Sequence, residues 1–160
     1  MTNNRSQRLA EVAKIAVRLE GETGIPARML IAQWAAESRW GAKPVGDFNF
    51  FGIKRAKRHT KCCTVETREV INGKDVRRVC EFADYESLEE SCRDYAWLIT
   101  HGAPYRAAWQ KYQQEGDLGD LVMSVARVYA TDPNYARLAS QIARQANVAA
   151  AIEAARATRA

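Results

Sequence analysis

The sequence predicts an α+β fold, a mainly helical body interrupted by one small β-hairpin lobe. Three observations predict it. Apolar residues recur every three to four positions in stretches on both sides of the middle of the chain, as helices burying one face require. Between those stretches Asn72-Gly73 separates two runs of strand formers, 64–71 and 74–82, and Asn-Gly so flanked is the strongest short-range hairpin signal. The 160 residues, 47% of them hydrophobic, suffice for one domain with a real core and are too few for two.

The elements follow in order. Ser6 to Gly21 carries Leu9, Val12, Ala13, Ala16 and Leu19 at helical spacing with charges between them, an amphipathic outer helix. Gly24 and Pro26 end it, and Pro26 also suits the first turn of the next helix, with Gly41 just past that helix's end. Met29, Ile31, Ala32, Trp34, Ala35 and Ala36 leave this second helix almost no polar face, so it belongs in the centre of the fold. Glu37 lies in its last turn, where the negative end of the macrodipole and desolvation both push a carboxyl pKa upward. An acid kept protonated near neutral pH is what general acid catalysis requires. Pairing with Arg39 or another cation is the competing reading.

A loop, Ala42 to Phe48, leads to a short extended piece, Asn49 to Lys54, in which Gly52 permits close backbone approach. In the hairpin, a two-residue turn pairs Ile71 with Lys74 and so sets Glu66 opposite Val79 and Val65 opposite Cys80. Glu66 then shares a face with Arg68 and Arg77, whose charge favours its ionised form. Ser87-Leu88-Glu89-Glu90 reads as a capping box opening a helix with Leu88, Tyr95, Leu98 and Ile99 inward, closed by His101-Gly102. Pro104 opens a short helix through Trp109 and Tyr112. Gly116 or Asp117 starts another through Leu121, Val125 and Tyr129, and Asp132-Pro133 caps a last one through Tyr135, Leu138 and Ile142. Trp34, Trp97 and Trp109 are assigned to the core, and Trp40 to core or groove wall.

The formal charge of +5 favours an anionic partner: nucleic acid, a membrane surface or the bacterial envelope. The basic residues are scattered apart from Lys54, Arg55, Lys57, Arg58 and Lys61, and no nucleic-acid motif accompanies them, so nucleic acid is not expected. Leu9 to Leu19 is broken by Glu11, Lys14 and Arg18, which removes the apolar core of a signal peptide, and no membrane span occurs. The four cysteines, Cys62, Cys63, Cys80 and Cys92, either pair in one of three connectivities, implying an oxidising compartment, or stay free. The register sets Cys63 diagonally from Cys80, within strained disulfide reach. A zinc site of His59, Cys62, Cys63 and Cys80 departs from Cys-x-x-Cys spacing, so no metal and no cofactor is expected.

Two carboxylates across a groove are the minimal apparatus for glycosidic cleavage. One gives its proton to the leaving oxygen; the other, ionised, activates water or stabilises positive charge on the sugar. Glu37 and Glu66 are the candidates, although the strand pattern alone reads Glu66 first as a solvated carboxylate balancing its arginines.

Several segments carry a resemblance in order: Ala32-Gln33-Trp34-Ala35-Ala36-Glu37-Ser38-Arg39-Trp40-Gly41, Asn49-Phe50-Phe51-Gly52-Ile53-Lys54, Thr64-Val65-Glu66, Phe82-Ala83-Asp84-Tyr85 with Glu90-Ser91 and Asp94-Tyr95, and Tyr129-Ala130-Thr131-Asp132-Pro133-Asn134-Tyr135-Ala136. Together they resemble the motifs of the glycoside hydrolase family 73 glucosaminidases. The resemblance implies a lysozyme-like fold, a helical lobe and a small β lobe flanking a glycan groove, and cleavage of the β-1,4 bond between N-acetylglucosamine and N-acetylmuramic acid in peptidoglycan. It implies that Glu37 is the general acid, Glu66 the hairpin carboxylate, and Tyr129 a residue lining the site, with Asn49 and Phe51 shaping the groove floor and Trp40 a further substrate contact. Residues 1–146 are then a single catalytic domain and 147–160 an Ala-rich basic tail, helical or frayed. Members commonly carry a tryptophan before the hairpin, where this chain has the basic segment Arg55 to Cys63.

As a bare basic catalytic domain the chain also resembles toxins delivered by type VI secretion into a rival's periplasm. That implies a monomer when free, no stable membrane insertion, and a cognate immunity protein occluding the groove. The alternatives are a phage endolysin released through a holin, or a catalytically inactive glycan-binding module. Against the last stands the presence of both Glu37 and Glu66.

Overall fold

A computed structural model describes residues 4–159, apart from the side chains of Glu69 and Val70. The order is α1 (Arg5–Thr23), α2 (Ala27–Ser38), β1 (Cys62–Ile71), β2 (Lys74–Ala83), α3 (Leu88–His101), a 3-10 turn (Ala103–Tyr105), α4 (Arg106–Glu115), α5 (Leu118–Tyr129), α6 (Pro133–Ala143) and α7 (Ala146–Ala157). Helix α2 is the hub, touching α1, α3, α5, α6 and α7. Met29, Leu30, Ile31 and Ala32 are 0% exposed, as the missing polar face requires. Each large apolar side chain so buried contributes about 1.5–3 kcal/mol.

The polar residues before the helices act as caps. Asn4 accepts from Gln7 N, Ser87 from Glu90 N, Asp117 from Asp120 N and Asp132 from Asn134 N, each satisfying an amide that the first turn leaves unpaired. The capping box at Ser87 is half made, because the Glu90 carboxylate accepts from Glu86 N instead of the Ser87 amide. Helix α2 stops earlier than its glycine suggests: Arg39, Trp40 and Gly41 all adopt left-handed φ values of 50°, 59° and 76°, so the αL cap falls on Arg39. Two non-glycine residues held there are strained, and they sit directly beside Glu37.

The hairpin has the register its turn dictates, with Ile71 opposite Lys74, Glu66 opposite Val79 and Val65 opposite Cys80. Asn72 and Gly73 at φ 51° and 74° give the primed turn that matches strand twist. No third strand joins among the described residues, and Val79 is 72% exposed. The hairpin is fastened at its base, where Ala83 N donates to Ile53 O and Arg55 N to Glu81 O.

Three expectations change. All four cysteines are free thiols, so the expected disulfides are not formed. Cys62 and Cys63 are consecutive on a strand and point to opposite faces. Diagonal neighbours such as Cys63 and Cys80 have Cα atoms about 7–8 Å apart, at or past the limit for bridging. Cys92 is wholly buried in α3. Trp97 is not core: it is 43% exposed, with its ring stacked on His101 and under the Arg58 guanidinium. The alanine-rich C-terminal segment is helical, the first of its two expected forms, but it is no loose tail: α7 lies on α1 and α2 and buries Val148, Ile152 and Ala155. Among the described residues no helix is long and apolar enough to cross a membrane.

Candidate active site

Glu37 ends the buried α2 half-exposed, on the side where the extended segment after the loop passes closest. The approach is at Gly52, which has φ +62° and where an added Cβ would stand 3.0 Å from Glu37 Oε2. Four tyrosines are electrostatically coupled to the carboxyl: Tyr95 from α3, Tyr105 from the 3-10 turn, Tyr129 from α5 and Tyr135 from α6. Tyr135 is hydrogen-bonded to Glu37. Burial raises the Glu37 pKa above the usual carboxylate range; the Tyr135 bond pulls it down and does not cancel the rise. No charged side chain among the described residues contributes to that shift, so the pairing with Arg39 is not the state of this acid.

Behind Tyr135 lies a buried chain of polar groups. Tyr95 donates to Gln33 Oε1, and Gln33 Nε2 donates to the Tyr135 hydroxyl at 3.2 Å. Gln33 is 1% exposed and Tyr95 0%. The functional weight of Gln33, Tyr95 and Tyr135 was not read from the sequence. The available signal was Gln33 itself, a polar residue on an apolar helix one turn before the acid.

The other expected site residues take different places. Asn49 is 1% exposed, so it does not touch a glycan. Its Nδ2 donates to Ile53 O at 2.9 Å and Ala83 O at 2.8 Å, and its Oδ1 accepts from Phe51 N at 3.3 Å and Ile53 N at 3.2 Å. It ties the Gly52 segment to the hairpin base. Phe51 is likewise 0% exposed, stacked on Tyr95 with ring centroids 4.4 Å apart, and is core rather than a substrate contact. Tyr129 donates its hydroxyl to the Phe51 carbonyl, while its ring lines a cavity of about 300 Å³ with Gly52, Lys54, Leu98 and Tyr105. Trp40 packs edge-on to Trp34 and under the Arg5 guanidinium, 3.6 Å from its centroid, and Arg8 Nε donates to its carbonyl. Trp40 is thus tied to α1.

Glu66 is not joined to Glu37 by any contact among the described residues. It projects from the open face of the hairpin, 55% exposed, with Arg77 3.2 Å away. Four residues out from the hinge pair Cys62–Ala83, it lies about 13 Å along the strand. A larger cavity, about 450 Å³, opens on the far side of Arg58 around His59, Asp94 and Trp97. Glu37 lines neither cavity. No group of three His, Cys, Asp or Glu among the described residues is placed to hold a metal.

A mainly helical body with a small β lobe, and one acid without a counter-ion among the described residues between them, defines a lysozyme-like glycoside hydrolase fold. Residues 13–148 match the glucosaminidase family, described as mannosyl-glycoprotein endo-beta-N-acetylglucosaminidase, and the chain belongs to that family, glycoside hydrolase family 73. The peptidoglycan hydrolase FlgJ of Pseudomonas aeruginosa is 32% identical over 155 residues, which cover 92% of this chain and 38% of that protein. A probable N-acetylmuramidase of Lactococcus lactis is 28% identical over 155 residues, 92% of this chain and 35% of its own. The chain thus spans less than half the length of these curated relatives. Among solved structures, the catalytic domain of the autolysin Auto from Listeria monocytogenes superposes with a TM-score of 0.77 at 25% identity, covering 94% of this chain and 89% of that one. A peptidoglycan hydrolase mutant from Sphingomonas sp. A1 gives 0.74 at 25% identity, covering 93% and 99%.

Proposed function

We propose that this protein hydrolyses peptidoglycan at the β-1,4 bond following N-acetylglucosamine, with Glu37 as general acid. The observation that carries the reading is a carboxyl whose protonated form burial favours, with no counter-ion among the described residues, where the Gly52 backbone closes on the end of α2. In the reaction Glu37 gives its proton to the glycosidic oxygen as the C1–O bond breaks, and positive charge develops on the sugar. Water then adds to C1 and loses its proton to a base. Tyrosine faces suit both jobs at such a site, closing the core and stacking on sugar rings. Family membership supports the glucosaminidase bond over the muramidase bond named for the Lactococcus relative.

Glu66 is our second carboxylate. It stands exposed beside Arg77, and its role rests on the family's motif order rather than on contact with Glu37. Glu66→Gln removes one exposed ion pair worth no more than about 1 kcal/mol. A large loss of turnover at unchanged stability supports the role, and full activity overturns it.

The biological setting we infer is attack on a rival's wall as a type VI effector, with an immunity protein filling the groove. The basic charge supports it; the free thiols withdraw the support expected from disulfides. Periplasmic expression that lyses cells, set against harmless cytoplasmic expression, is its first requirement.

The deciding experiment digests purified peptidoglycan with wild type and Glu37→Gln, reduces the products with borohydride and identifies the new ends by mass spectrometry. Reduced N-acetylglucosamine ends, lost in the variant, are expected. Reduced N-acetylmuramic acid ends would overturn the bond assignment, and no cleavage by folded wild type would overturn the hydrolase.

A further inference from the structure

The buried polar chain behind Glu37 has a direction, and one residue sets it. The Tyr95 hydroxyl is 0% exposed and its one hydrogen-bond partner among the described residues is Gln33. A buried hydroxyl proton left without an acceptor is costly, so Tyr95 must donate and the Gln33 oxygen must face it. This orients the amide: its nitrogen faces Tyr135 and donates to that hydroxyl. The Tyr135 oxygen is then an acceptor toward Gln33, which leaves its own proton for its other neighbour, Glu37, whose pKa it lowers.

We propose that Gln33 is a positioning residue for the acid: it turns the Tyr135 proton onto Glu37, so that Glu37 cannot spend its own proton on Tyr135 and keeps it for the leaving oxygen. The proposal rests on Glu37 being the acid of the proposed reaction, but the orientation is a property of the resting protein. With the amide absent, protonated Glu37 and Tyr135 can exchange donor and acceptor roles. The acid's proton then points into the protein in part of the population. Among the described residues, the titratable groups coupled to Glu37 are Tyr95, Tyr105, Tyr129 and Tyr135, from α3, the 3-10 turn, α5 and α6.

Two variants separate this role from mere packing. Gln33→Met fills the space and cannot donate. Gln33→Glu has the same shape; its protonated carboxyl still accepts from Tyr95 and donates to Tyr135, whereas its ionised form accepts from both and reverses the chain. We expect Gln33→Met to lose about tenfold in kcat below the Glu37 midpoint with little change in KM, its basic limb moving up with that midpoint. Gln33→Glu should match wild type at acid pH and fall away as the introduced carboxyl ionises, adding a titration that wild type lacks. Carboxyl-¹³C NMR, with Glu37→Gln to assign the resonance, reads the same point without substrate. The Glu37 midpoint should move upward in Gln33→Met, where no charge is added, because the Tyr135 bond to its charged form is no longer enforced. Folded variants with an unchanged Glu37 midpoint and an unchanged pH profile would overturn the proposal. Should wild type prove inert on peptidoglycan while the Glu37 midpoint still moves, the hydrolase reading falls and the relay stands. Gln33→Glu decides alone if Gln33→Met does not fold.

Discussion

Replacing Gly52 by alanine tests the claim that the backbone itself forms one wall of the acid's site. Two costs are separable. Gly52 has φ +62°, and a Cβ in the left-handed region costs about 1–2 kcal/mol, partly offset by about 0.4–1 kcal/mol because alanine restricts the unfolded chain. The net, about 1 kcal/mol, lowers Tm by roughly 2–4 °C for a chain of this size. The second cost is local: the new methyl stands 3.0 Å from Glu37 Oε2, tighter than nearly all real Cβ contacts, so the carboxyl must shift by a few tenths of an ångström. Displacing a catalytic group even by a fraction of a bond length erodes near-attack geometry, and a turnover loss of about tenfold or more is expected. Gly116→Ala is the control, since Gly116 has φ +71° with nothing within 4 Å of the added Cβ. It should lose the same few degrees and keep its turnover. Thermal melts and initial rates on purified peptidoglycan, both below the melting range, give the comparison. Equal turnover in the two variants would refute the argument that Gly52 is there for Glu37.

Glu37→Gln should raise Tm at neutral pH. Because the folded pKa lies above the unfolded value, the folded state holds its proton more tightly, and stability is lost as pH rises through the window from the unfolded pKa to the folded one. The gain of the variant over wild type should therefore be absent in acid and grow with pH, and a pH-independent difference in melts would contradict the burial argument. Asn49→Ala removes four hydrogen bonds that join the Gly52 segment to the hairpin base and strips the Phe51 and Ile53 amides of their Asn49 acceptor, so a loss of about 3 kcal/mol or more is expected in urea unfolding. Asn49→Asp, which accepts but cannot donate, should not restore it. Ile152→Ala in α7 should cost about 2–4 kcal/mol by the same measurement, and a cost near zero would return the C-terminal helix to the status of a tail.

The sequence by itself determined the local structure. The polar caps at Ser87, Asp117 and Asp132 are bonded within three residues, and the Asn72-Gly73 turn fixes every pair of the hairpin by counting from it. The missing polar face of α2 placed it, and with it Glu37, at the centre. These are short-range effects, in which one stretch of chain carries both partners. Tertiary structure alone decided what meets the acid. Tyr135 comes from α6 and Gly52 from the loop segment, and no periodicity in either says that they converge on one carboxyl. Asn49 and Phe51 sit in a motif whose order suggested substrate contact, yet packing turned both inward. Periodicity likewise could not say that Trp97 ends at the surface, because an aromatic on an inward stripe reads the same at its centre and at its edge. The cysteines followed suit: their number allowed bridges, and only strand pleat and register kept the sulfurs apart. Side-chain partners distant in sequence depend on how whole helices pack, and that information is spread over the core, not carried by the residues that finally touch.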